Sequence, residues 1–257
     1  DIQRLCEGIA QLTMPRGCIL VMDTATSEIL ASVSMPEYDP GDVARSIRAD
    51  DTSLVNRAFA TFSVGSVFKV AAALAAYENG MDWFTHDCTG SIEVDGQTYR
   101  CALGKAHGTV NLRGALEQSC NTYFVALGQR LGGMALRAAA SELGFGTAVP
   151  IAPDLTAGAG VVPTAKELQS TGQLSVFSFG QGSFTATPLQ ITAMMNTIAA
   201  GGTYRTPRFC CGVTDADGTV TEKFQLPAPR TVCDAATAKV LRSMLQSVVE
   251  DGIGYAA

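Results

Sequence analysis

Apolar residues crowd into a helix-length run, Val70-Ala71-Ala72-Ala73-Leu74-Ala75-Ala76-Tyr77, closed by Asn79-Gly80. The run is rich in good helix formers and Asn-Gly is a fair C-terminal stop, so a helix is predicted there. Its apolar flanks mark it as buried rather than solvated. Leu112, Ala115 and Leu116, then Tyr123, Phe124, Val125 and Leu127, keep helical spacing on either side of a break at Ser119-Cys120-Asn121. Leu241 through Glu250 reads as an amphipathic helix, and Thr89 to Arg100 as a hairpin turning at Asp95-Gly96. Gly132-Gly133, Gly158 to Gly160 and Gly201-Gly202 mark turns between elements. There is no repeat, low-complexity stretch or obvious linker, and no apolar run approaches the ~20 residues of a membrane span.

Two polar residues interrupt this pattern where chemistry can use them. Ser66-Val67-Phe68-Lys69 places a hydroxyl and an amine one turn apart at the start of the apolar helix. A serine is a poor nucleophile until a base takes its proton, and a lysine becomes that base when burial lowers its pKa. The helix start also offers free backbone N–H groups to a developing oxyanion. An isolated Ser-x-x-Lys is far more often a helix-starting serine followed by a surface lysine. The apolar flanks of Lys69 weigh against that, because an unpaired buried ammonium is costly.

About fifty residues on, Ser119-x-Asn121 sets a hydroxyl and a carboxamide at a break between two helices, from which both can point into one cleft. The hydroxyl can relay a proton, while the amide can bind a substrate carbonyl and hydrogen-bond the lysine. The alternative is purely structural, with Ser119 capping the next helix and Asn121 satisfying local backbone.

Together the two elements resemble the serine-active penicillin-binding proteins and β-lactamases. The likeness runs through the chain in order. Residues 16–23 and 28–34 are similar to the paired strands opening a penicillin-binding transpeptidase domain, and Pro36-Glu37-Tyr38-Asp39-Pro40 to the segment leaving that hairpin. Asn56-Arg57-Ala58 resembles the short motif before the nucleophile, and His107-Gly108 stands at a familiar distance before the Ser-x-Asn helix. Gly180-Gln181-Gly182 and Thr187-Pro188-Leu189-Gln190 look like the late transpeptidase signature. Ser119-Cys120-Asn121 differs from the Ser-Asp-Asn of class A β-lactamases and from class D enzymes, which have an apolar residue in place of the asparagine. It matches the transpeptidase form. No segment reads clearly as a loop bearing a deacylating glutamate.

The resemblance implies an α+β fold of the β-lactamase and D,D-peptidase type. A mainly antiparallel sheet would be flanked by helices, with the Ser66 helix central to an all-helical part. Residues 1–257 would be most of one transpeptidase domain. It further implies Ser66 as nucleophile, Lys69 as base, Ser119 as proton relay and Asn121 as the residue holding the substrate amide. The substrates would be peptidoglycan stem peptides, with β-lactams acylating the same serine and other cell-wall synthesis proteins as candidate partners. A carboxypeptidase, a β-lactamase, or a non-catalytic module that senses β-lactams or scaffolds division proteins are the alternatives. The family's third motif, Lys-[Thr/Ser]-Gly, is absent. The five lysines, at 69, 105, 166, 223 and 239, precede Val70, Ala106, Glu167, Phe224 and Val240. Because Asp251 through Ala257 resembles the segment just upstream of that motif, the expectation is a chain that stops short of it and of the last strands of the sheet. By the same likeness it is a soluble domain acting outside the cytoplasmic membrane, whose anchor lies beyond this sequence.

Charge and cysteine usage narrow the alternatives. The net charge of −6 is dispersed and forms no basic patch, which argues against nucleic acid. Eight cysteines include no Cys-x-x-Cys pair and there are only two histidines, a pattern that argues against zinc; no metal or organic cofactor is implied. Cys88 and Cys101 bracket the predicted hairpin at a separation that suits a disulfide in an oxidising compartment, and this pairing is left open. Cys18 and Cys120 read as buried fillers. A histidine-based hydrolase is disfavoured, since Gly65-Ser66-Val67-Phe68 lacks the second glycine of a nucleophile elbow. A turn or packing role is expected for His86 and His107.

Overall fold

The computed structural model describes residues 1–49 and 52–255. Its first unit is a helix on a ribbon. Helix α1 (Ile2–Thr13), capped by the Asp1 carboxylate, packs on strands β1 (Gly17–Met22) and β2 (Ile29–Met35), which pair antiparallel. Successive strand residues point to opposite faces, and β1 uses both. Ile19 and Val21 join Cys6, Ala10, Ala31 and Val33 under α1, while Leu20 and Met22 face Val149 and Leu189. Leu189 belongs to α8 (Pro188–Ala199), which covers the other side of the ribbon. Helix α2 (Val43–Ala49) lies on the surface after the hairpin.

The second unit is helical and built around α3 (Lys69–Glu78), entered through a 3-10 turn at Gly65–Phe68. Every residue of α3 from Lys69 to Ala76 is buried. Its alanines present little bulk, so α4 (Leu112–Glu117), α5 (Asn121–Leu131), α6 (Gly133–Glu142) and α9 (Ala235–Glu250) all pack against it. The helix stops where the sequence indicates, at Asn79, with Gly80 in the left-handed region at φ 62°. Helix α7 (Thr171–Phe177) packs on α5 and contributes to an aromatic cluster under the 3-10 turn. Phe68 meets Phe177 and Phe184 at ring-centroid distances of 4.8 and 4.7 Å.

The antiparallel pairing and flanking helices expected from the resemblance are present. Among the described residues the strands form seven two-stranded ribbons. Besides β1–β2, these join β3 (Phe62–Ser63) to β10 (Thr185–Ala186), β4 (Thr85–Cys88) to β7 (Gly108–Asn111), and β5 (Ser91–Val94) to β6 (Gln97–Arg100). The others are β8 (Pro150–Ala152) with β9 (Leu155–Thr156), β11 (Thr203–Tyr204) with β14 (Arg230–Thr231), and β12 (Gly212–Thr214) with β13 (Val220–Lys223). Strands of two to four residues are too short to support a wide sheet. The β5–β6 hairpin turns at Asp95-Gly96, as read from sequence. Ala256 and Ala257, the end of the segment likened to the family's approach to its third motif, lie outside the described residues.

Candidate active site

The nucleophile candidate and its base are separated by burial. Ser66 is exposed, whereas Lys69, one turn later, is 1% exposed. The Lys69 Nζ lies 3.2 Å from Ser66 Oγ, 2.8 Å from Ser119 Oγ, 2.7 Å from the Ser119 carbonyl oxygen and 2.6 Å from Asn121 Oδ1. The Lys69 amine thus gathers the other three residues singled out from sequence. Burial pulls the Lys69 pKa down to about 8, although Cys120 and Cys101 nearby oppose the shift. At neutral pH a group with a pKa near 8 is deprotonated about a tenth of the time, enough to serve as a general base. Once neutral, the amine has a lone pair for the Ser66 proton and two N–H bonds to give to Ser119 and Asn121.

The break between α4 and α5 produces this geometry. Helix α4 ends at Glu117, and Ser119 then takes the left-handed conformation at φ 48°, rare for a residue with a Cβ. That turn aims both its carbonyl and its hydroxyl at Lys69. Helix α5 is capped not by Ser119 but by Cys120, whose sulfur accepts a hydrogen bond from the Tyr123 N–H at 3.5 Å. Ser119 is therefore free of the capping role that offered the structural alternative. Asn121 accepts from Lys69 through Oδ1 and donates through Nδ2 to the Arg100 carbonyl at 2.9 Å, which leaves its second amide hydrogen for a ligand.

The late signature residues hold this platform. The Gly65 N–H donates to the Gly180 carbonyl at 2.8 Å, and the exposed Gln181 side chain lies over Gly65. Gly180 has φ 81°, and a Cβ on it would stand 2.0 Å from the Gly65 carbonyl oxygen. Only glycine lets the two loops approach this closely. Gln190 closes a capping box with Thr187 and donates from its buried amide to the carbonyls of Gly144, Thr147 and Ala159, at 2.9–3.1 Å. The motif before the nucleophile is likewise structural. Buried Arg57 donates to the Thr52 and Val55 carbonyls and to Thr52 Oγ1, while its N–H meets Ser34 Oγ on β2.

The fold decides the open cysteine pairing and places the histidines. Cys88 and Cys101 are free thiols whose sulfurs stand 3.7 Å apart. A disulfide requires about 2.05 Å. Cys120, read as a filler, lies 3.8 Å from Cys101, and His107 Nδ1 lies 3.3 Å from Cys88 Sγ. The fold brings together residues 13 and 19 positions apart, which no short spacing along the chain connects. Neither histidine hydrogen-bonds Ser66 among the described residues.

The profile of the penicillin-binding protein transpeptidase domain matches residues 17–257. The chain belongs to that family. It is 34% identical over 249 residues to stage V sporulation protein D of Bacillus subtilis, covering 93% of this chain and 37% of that protein. It is 31% identical to the peptidoglycan D,D-transpeptidase MrdA of Acinetobacter baumannii, covering 74% of this chain and 31% of that one. The D,D-transpeptidase domain of a peptidoglycan glycosyltransferase from Eggerthella lenta superposes with a TM-score of 0.88 at 28% identity, covering 99% of this chain and 66% of the other. Penicillin-binding protein A of M. tuberculosis, solved as an imipenem acyl-enzyme complex, gives 0.80 at 26% identity over 91% of this chain and 57% of its own. The chain spans about a third of the length of these curated relatives.

Proposed function

We propose that this chain carries the acyl-enzyme machinery of a peptidoglycan D,D-transpeptidase and forms most of one such domain, acting on the outer side of the cytoplasmic membrane. The single observation behind this reading is the Lys69 amine, buried and within hydrogen-bond distance of Ser66, Ser119 and Asn121 at once. Neutral Lys69 takes the Ser66 proton as Oγ attacks the penultimate D-Ala carbonyl of a stem peptide. The new C–O bond gives a tetrahedral oxyanion. As the C–N bond breaks, the proton passes through Ser119 to the leaving D-Ala amine, while Asn121 holds the substrate amide through its free N–H. An amine of a neighbouring stem then attacks the ester, forms the cross-link and returns Ser66 to its hydroxyl. A β-lactam opens on the same serine, in keeping with the imipenem adduct of the M. tuberculosis relative.

The test is incubation with an acyl-D-Ala-D-Ala peptide and an amine acceptor, with products read by mass spectrometry. The expected product joins acyl group and acceptor with release of D-Ala. Transfer to water alone would place the protein with hydrolytic relatives, and a folded chain that releases no D-Ala would overturn the catalytic reading.

A further inference from the structure

Helix α4 runs directly into the loop that bears Ser119, so whatever closes its last turn bears on the chemistry. The terminal carbonyls can be accounted for one by one. Gly114 accepts from the Gln118 N–H at 3.0 Å, Ala115 from Cys120 at 2.8 Å and Leu116 from Ser119 at 3.0 Å. The crossed pair from Cys120 and Ser119 is a Schellman closure, with Ser119 in the left-handed position that glycine usually fills. The Glu117 carbonyl, the last of the helix, is met from a distant part of the chain. The Ile253 N–H donates to it at 2.9 Å, from the turn that follows α9. We propose that Gly252 and Ile253 are positioning residues for the acyl transfer, closing the C-terminus of α4 so that Ser119 keeps the turn that aims its oxygens at Lys69. The effect on rate rests on the Ser66 chemistry proposed above, whereas the closure of α4 does not.

The approach of the two segments requires glycine. A Cβ on Gly252 would stand 2.5 Å from the Glu117 carbonyl oxygen and 2.8 Å from that of Val248. The turn is held by its own bonds back to α9. Asp251 donates to the Ser247 carbonyl and Gly254 to the Val248 carbonyl, both at 2.9 Å, and the Ile253 N–H is left for α4. The Ile253 side chain is 58% exposed, so the contact is made by backbone rather than by packing.

A second tie fixes the first turn of α4 to the same helix. Arg113 donates to the Ser243 carbonyl and hydroxyl at 3.0 and 3.1 Å, and to the hydroxyl of buried Ser247 at 3.0 Å. With six residues, α4 draws little stability from its own hydrogen bonds, so these ties set where it ends. Ser119 stands two residues beyond Glu117. A shift of the Glu117 carbonyl therefore passes through two peptide units to the Ser119 carbonyl and hydroxyl, which lie 2.7 and 2.8 Å from Lys69 Nζ. A misplacement of about 1 Å there costs proton transfer heavily.

The test pairs hydrogen exchange with acylation in the full chain. Two changes loosen the closure. Gly252→Ala inserts a methyl group between the turn and α4, and replacing the Ile253 amide by an ester deletes the N–H without adding bulk. Gly212→Ala is the control, because its Cβ would meet the Glu222 carbonyl oxygen at 2.2 Å on the β12–β13 ribbon. It should lose stability and keep its rate. In both altered chains the Ser119 and Cys120 amides should exchange about tenfold faster or more relative to those of α3. The acylation rate constant for benzylpenicillin should fall about tenfold or more, with its binding constant nearly unchanged. Added to Ser119→Gly, Gly252→Ala should slow acylation no further, since the group it positions is already gone. Additive losses in that pair, unchanged exchange at Ser119 and Cys120, or an equal rate loss in Gly212→Ala would overturn the proposal. An unmutated chain that benzylpenicillin never acylates would instead refute the catalytic reading, and exchange alone would then decide the closure.

Discussion

Lys69 Nζ reaches both the carbonyl oxygen and the hydroxyl of Ser119, at 2.7 and 2.8 Å, because Ser119 sits in the left-handed region at φ 48°. In an ordinary helix-terminal conformation the two oxygens would diverge. Backbone conformations of this sort cost on the order of 1 kcal/mol or more and persist where the surroundings impose them. Here the surroundings are the buried amine and the Cys120 cap. Replacing Ser119 separates the two roles. Ser119→Gly should leave the chain as stable or slightly more so, since glycine accepts positive φ. It should nonetheless lower the acylation rate by about 10²-fold or more through loss of the relay hydroxyl. Thermal unfolding together with acylation kinetics checks both halves.

Lys69 should set the pH dependence. Its pKa is lowered to about 8 by burial, and in the proposed mechanism the neutral amine is the active form. The acylation rate should therefore be low at pH 6, rise through about pH 8 and level off above it. Stability follows the same group. An unfolded lysine keeps its proton to about pH 10.4, so between about 8 and 10.4 the unfolded chain binds more protons and the fold gains stability with rising pH. Lys69→Met should abolish the rising limb and cut acylation by roughly 10³-fold or more, because the base is gone.

Gly180 tests whether the late signature positions the nucleophile. A Cβ there meets the Gly65 carbonyl oxygen at 2.0 Å, and the backbone must keep φ 81°. Gly180→Ala should destabilise by on the order of 2 kcal/mol or more, a fall in Tm of roughly 4–8 °C for a chain of this size. It should also slow acylation, since relief of the clash moves Gly65 and with it Ser66. A variant that loses stability but acylates at the full rate would show that this loop only packs.

Gln190 is the companion test away from the chemistry. The two hydrogens of its amide are shared among three carbonyls, those of Gly144, Thr147 and Ala159, from a side chain that is 1% exposed. Gln190→Ala should cost about 2–3 kcal/mol, the penalty for buried acceptors left without donors. Gln190→Glu should be no better, because a carboxylate cannot donate. Both effects are read by denaturant unfolding.

The cluster around Lys69 was legible because its members are local in sequence. Ser66 and Lys69 share one helix turn, Ser119 and Asn121 share one loop, and both signals stand out against apolar helices. The helix stop at Asn79-Gly80 and the Asp95-Gly96 turn were legible for the same reason. The individual short ribbons were not, since strands of two to four residues beyond the first pair are too brief to leave a readable alternation. The Cys88–Cys101–His107–Cys120 convergence was also hidden. Its members come from four element ends, and no spacing rule connects positions that only the folded hairpin and α5 bring together. Gln190 is intermediate, for the Thr-x-x-Gln capping box is visible in sequence but its three distant carbonyls are not.

The central claim is that Ser66 is the nucleophile and that the Lys69 cluster activates it. Intact mass after incubation with benzylpenicillin, followed by peptide mapping, tests it most directly. The expected result is a stable one-to-one adduct on Ser66, absent from Ser66→Ala and strongly slowed in Lys69→Met. A folded chain that stays unmodified, or an adduct that maps elsewhere and survives Ser66→Ala, would contradict the account.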